Sequence, residues 1–139
     1  MTRLRIIAIG GAAALAMLTL VGAQGPSALG GASPGDWDFT GLPGAKAPLR
    51  ECVADLMALA QFEHRGRHCS SKVISDRGNS IVVQYACGPA DFGRTQIDVL
   101  TPRSLRISTQ GISDSLPFNY VLQARRYGDC AKSAASLRH

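Results

Sequence analysis

The nineteen residues CSSKVISDRGNSIVVQYAC, from Cys69 to Cys87, decide the fold class. Lys72 to Ser75 and Ile81 to Cys87 are two short runs on either side of Asp76-Arg77-Gly78-Asn79-Ser80, a composition that turns the chain back on itself. On the second arm Ile81, Val83, Tyr85 and Cys87 fall on one face by the period of two that marks a half-buried strand. The stretch therefore predicts an antiparallel hairpin. Cys69 opens one arm and Cys87 closes the other, and Gly78 is their midpoint, so the two sulfurs are expected side by side at the open end.

The pattern continues toward the C-terminus. Gly88 to Gly93 predicts a turn, and Arg94 to Leu100 follows with Thr95, Ile97 and Val99 on one side. Thr101-Pro102-Arg103 turns the chain again, and Leu105, Ile107 and Thr109 alternate through the next strand. Gly111 to Pro117 predicts another turn. Phe118, Tyr120, Leu122 and Ala124 then line one face of a last strand ending near Tyr127. The opposite face carries Lys72, Gln84, Arg106, Gln123 and Arg125. Toward the N-terminus, Trp37-Asp38-Phe39-Thr40 reads as a short strand and Gly41 to Pro48 as a loop. Val53, Leu56, Met57 and Ala60 recur at helical spacing, with Leu59 and Phe62 broadening the apolar side and Gly66 ending the helix. The expected fold is mainly β (α+β): an antiparallel meander or partial barrel of about six short strands with one helix packed on it.

The chain has 139 residues, 45% of them apolar and 18% charged, which suits one core and excludes a multidomain enzyme or a coiled coil. Residues 1–23 have the three parts of an export signal: Arg3 and Arg5, an uncharged run from Ile6 to Val21, and a small-residue end at Val21-Gly22-Ala23. Residues 24–35 read as a flexible lead-in, 36–130 as a single domain and 131–139 as a polar tail. Without its leader the chain is expected to have no stable membrane span and to act as a monomer in the periplasm or outside the cell. Formal charge is +5 for the whole chain and +3 beyond residue 23. The cations are scattered, and no Gly-aromatic ribonucleoprotein motif is present, so nucleic acid is not an expected partner.

Four cysteines allow three pairings. The hairpin selects Cys69–Cys87. The meander places Cys130 at the opposite end of the last strand, leaving it to Cys52 ahead of the helix. The spacings, 17, 18 and 43, fit no common zinc motif, and there is no Cys-x-x-Cys. Two disulfides are thus expected, and with them an oxidising compartment.

His64 and His68 stand four apart, the spacing that puts two imidazoles on one helix face, and they define the alternative function: a metal-assisted hydrolase. Gly66 interrupts that face, and two surface histidines in a turn are the plainer expectation. There is no Gly-x-Ser-x-Gly elbow and no phosphate-binding glycine loop, so no catalytic residue and no cofactor are assigned. A curved sheet can leave an apolar hollow, and Trp37, Tyr85, Phe118 and Tyr120 are the aromatics expected to line it around an apolar small molecule or an envelope component.

Several short motifs carry a family likeness. They are Pro34-Gly35-Asp36-Trp37-Asp38-Phe39, Glu51-Cys52-Val53, Cys69 at a strand start, Tyr85-Ala86-Cys87 at a strand end, and Arg125-Arg126-Tyr127-Gly128-Asp129-Cys130. Together they resemble the bacterial exported proteins grouped as domain of unknown function 3617, over most of residues 34–130. The resemblance implies a periplasmic, β-rich, disulfide-bonded domain with no established activity, and it assigns no catalytic residue. A non-enzymatic binding or envelope-interaction module is the expected function.

Overall fold

The computed structural model describes residues 28–131; the leader and most of the tail read from the sequence lie outside them. Seven strands form one open antiparallel sheet: β1 (Gly35–Thr40), β2 (Leu49–Val53), β3 (Ser70–Arg77), β4 (Ser80–Gly88), β5 (Asp91–Thr101), β6 (Ser104–Ser113) and β7 (Leu116–Gly128). Their order in space is β2-β1-β7-β6-β5-β4-β3. Five consecutive strands make the expected meander, and the β1–β2 hairpin adds to its far side by pairing β1 with β7.

The alternation read from the sequence sorts the faces. Ile81 and Val83 on β4, Thr95 and Ile97 on β5, Leu105 and Ile107 on β6, and Leu122 on β7 are all buried on the inner face. Trp37 and Phe39 of β1 join the same apolar cluster, so the core is continuous from β1 to β4. Covering a sheet this wide takes a second layer. It is supplied by two 3-10 segments, η1 (Ala28–Gly31) and η2 (Leu56–His64). From η2, Leu56, Leu59, Ala60 and Phe62 face the sheet, with the Phe62 ring 4.9 Å from Phe39.

Four sequence readings need adjustment. The strand count is seven rather than about six, because Leu49–Val53 pairs with β1 as an edge strand; Val53 ends that strand instead of starting a helix. The helix is 3-10 in geometry and kinked at Gln61. Its nine residues lie between Cys52 and Cys69, both held in disulfides, and the kink at Gln61 divides them into two short 3-10 turns. Asp55 caps it, accepting the Met57 N–H at 2.9 Å. The described end of the 24–35 lead-in is not loose: Ala28 and Leu29 of η1 are buried, and the Ala28 N–H donates to the Asp76 carboxylate at 3.0 Å. Finally, Gly111 to Pro117 is not one long turn. The strands run to Ser113 and from Leu116, and the reversal is carried by Asp114 and Ser115 alone, with φ of 49° and 65°. Those paired positive angles are what a two-residue hairpin turn demands.

Both expected disulfides form, the one the hairpin selected and the one the meander left to Cys52 and Cys130. Cys69–Cys87 closes the open end of β3–β4, and Cys52–Cys130 joins β2 to the residue just past β7, spanning the start of β1 between them. Two such bonds fit an oxidising environment. Among the described residues, no helix is long and apolar enough to cross a membrane.

Candidate binding face

One cross-strand row organises the end of the sheet nearest Cys69–Cys87. Tyr85 of β4 pairs with Gly93 of β5, Gly93 with Gly111 of β6, and Gly111 with Phe118 of β7. The glycines are dictated by the rings beside them. A Cβ on Gly93 would lie 2.6 Å from the Tyr85 hydroxyl, and one on Gly111 would lie 2.9 Å from the Phe118 ring and collide with the Phe92 carbonyl.

His64, the last residue of η2, fits edge-on between those rings, with centroids 5.5 Å from Tyr85 and 6.0 Å from Phe118. It is 3% exposed. Its Nδ1 lies 3.0 Å from the Tyr85 hydroxyl, and its Nε2 faces Asp91 at 3.6 Å. Asp91 in turn accepts from the Arg67 guanidinium at 2.7 Å and from the Asp114 N–H at 2.8 Å, and these contacts hold its carboxyl below the ordinary value. Burial, reinforced by the Glu63 carboxylate, pushes the Tyr85 hydroxyl up to about 12. Tyr120 is raised for the same two reasons and donates to Glu63 at 2.8 Å.

The order Asp91, His64, Tyr85 is that of an acid orienting an imidazole beside a hydroxyl. Tyr85 is only 2% exposed, however, and its ring covers Gly93, so in this conformation a substrate atom has no approach to the hydroxyl. The cluster is a clamp: it fixes the end of η2 to β4 and to the β4–β5 and β6–β7 turns. His68 is exposed on the far side of Gly66, whose φ of +76° breaks the helix between the two histidines. No group of three or more His, Cys, Asp or Glu side chains that could hold a metal occurs among the described residues.

The four aromatics expected to line one hollow are divided. Tyr85, Phe118 and Tyr120 gather near His64, with Phe118 and Tyr120 6.0 Å apart. Trp37 does not join them. It is fully buried at the level of Arg126, six residues along β7 from Tyr120 and so roughly 20 Å away by strand rise. The inner hollow itself is filled by η2.

Two open depressions lie on the other face. One of about 540 Å³ has Gly93, Gly111 and Phe118 beneath it, with Phe92 and Ile112 on its apolar side and Gln84, Arg94, Gln110 and Asn119 on its polar side. A second, of about 470 Å³, adjoins it through the shared Gln84 and Phe92 and continues to Lys72 on the edge strand β3. The two make a shallow trough running across the strands. Sequence reading assigned Lys72 and Gln84 to this face but saw no site in it, because the trough is assembled from five strands and exists only once their register is fixed.

Comparisons with protein families, curated proteins and solved structures return no match for this chain.

Proposed function

We propose that the protein is an exported, non-enzymatic binding module of the bacterial envelope, and that it takes its ligand on the solvent face of the sheet. The leader-like residues 1–23, the two disulfides and the likeness to the exported family named above support export. The observation that carries the binding reading is the trough over Gly93 and Gly111: an open depression with an apolar side at Phe92 and Ile112 and a polar side of exposed side chains that have no partner among the described residues. Placed opposite the clamp of His64, Tyr85 and Phe118, it has a rigid floor, which lowers the ordering cost of binding.

Amide NMR of the oxidised protein with a library of small polar and apolar fragments tests this. Shifts gathered at Gly93, Gly111, Gln84 and Gln110 are expected. Shifts scattered over the surface, or gathered elsewhere, would remove the reading. Fractionation of cells making the full chain tests export; a periplasmic form beginning at Gln24 is expected.

A further inference from the structure

We infer that the trough is shaped for an acidic polysaccharide, a chain of sugar rings bearing carboxylates; this rests on the binding-face reading above. Lys72, Gln84, Arg94, Gln110 and Asn119 stand directly opposite one another on β3, β4, β5, β6 and β7. All five are exposed, and none of their side chains has a hydrogen bond or ion pair with another described residue. At about 4.8 Å between strands they form a ladder of hydrogen-bonding groups ~19 Å long. Three are planar amides, able to donate and accept at once as neighbouring hydroxyls require, and Arg94 presents the fork that matches a carboxylate.

Charge on the face agrees. The row holds two cations and no acid, and neither flanking row, Ala86-Phe92-Ile112-Pro117 on one side and Val82-Gln96-Ser108-Val121 on the other, contains a carboxylate. In the first of these Phe92 is 44% exposed, a free ring against which the C–H face of a sugar can stack. Other polymers suit the face less. A peptide strand binds by pairing with free backbone groups; beneath the trough the backbone of β4 to β7 is already paired within the sheet, and the free edge of β3 runs across the trough's end rather than along its row. Single-stranded nucleic acid stacks successive bases on several rings, and the row beside the ladder offers one.

The test is titration of the oxidised protein with oligogalacturonate, with a neutral cello-oligosaccharide, oligo-dT and polyglutamate beside it, read by calorimetry and amide NMR. Oligogalacturonate is expected to bind at the trough and to weaken as salt rises. Arg94→Gln and Phe92→Ala are each expected to weaken it about tenfold with thermal unfolding unchanged, and Arg106→Gln, two rows away on the same face, to leave it unaltered. Equal binding of the neutral sugar would overturn the acidic assignment and leave the binding face standing. Equal binding of oligo-dT or polyglutamate, indifferent to Phe92→Ala, would reduce the trough to a cationic patch and overturn the sugar. If no glycan binds while fragments still shift Gly93 and Gly111, the ligand class alone is wrong; if fragments miss the trough too, both readings fall.

Discussion

The Nδ1 atom of His64 lies 3.0 Å from the hydroxyl of Tyr85, and through this contact the end of η2 is fastened to β4 near the Cys69–Cys87 end of the sheet. Removing the imidazole empties the space between two rings and leaves a buried hydroxyl without its partner. His64→Ala is expected to lower stability by about 2–4 kcal/mol in denaturant unfolding. His68→Ala, at an exposed position, is expected to stay within about 0.5 kcal/mol of the parent.

Asp91 and Tyr85 give the protein opposite pH limits. The folded Asp91 carboxyl is held below its ordinary 3.8 by Arg67, then by the Asp114 N–H, so its contribution is present above that value and is lost as pH falls through the lower folded one. The Tyr85 hydroxyl is raised from 10.0 to about 12, so stability is lost as pH climbs between those two values, where only the unfolded chain ionises. Urea midpoints across pH measure both limbs. Asp91→Asn should make the acid limb shallower and Tyr85→Phe the alkaline one, with Asp38 and Tyr120 supplying what remains of each.

The disulfides close loops of different length, with sequence separations of 78 and 18 residues. Loop-closure entropy assigns about 4.5 kcal/mol to Cys52–Cys130 and about 3 kcal/mol to Cys69–Cys87. Paired Cys→Ser variants should therefore rank in that order in melting temperature. Peptide mapping without reduction should recover Cys52 joined to Cys130.

A side chain at Gly111 would meet the Phe92 carbonyl, which cannot move aside as a flexible side-chain tip could. Gly111→Ala is expected to cost about 1–3 kcal/mol and to shift the amide signals of the trough. Gly93→Ala should perturb the Tyr85 ring instead, visible as a change in near-ultraviolet circular dichroism.

Ser115 occupies left-handed backbone at φ 65° with a Cβ in place. Ser115→Gly should raise stability by about 0.5–1 kcal/mol, the relief of that conformation less the entropy glycine brings to the unfolded chain. Calorimetric melting checks it.

What was legible in the sequence is local. Ile81, Val83 and Tyr85 announce β4 by alternation, and Gly78 midway between Cys69 and Cys87 pairs those sulfurs before any coordinate is known. Leu49–Val53 gave no such sign: Leu-Arg-Glu-Cys-Val has no clean alternation, and it is a strand only because β1 lies alongside it. The pairing of β1 with β7 is set by residues more than eighty positions apart, beyond the reach of periodicity. His64 was legible as an ionisable residue but not as a core one; Asp91, its neighbour in space, lies in a stretch that reads as turn. Lys72 and Gln84 each read singly as a solvent-facing residue, and only five-strand register puts them in a row with Arg94, Gln110 and Asn119.

The partnership of β1 with β7 also governs the order of assembly. For a chain delivered from its N-terminus, Trp37 and Phe39 arrive first and must wait, uncovered, until the final strand follows. The contacts that seat that hairpin join residues more than eighty positions apart, the kind of long-range pairing whose loop-closure cost slows folding, and a tryptophan left bare meanwhile invites the wrong company.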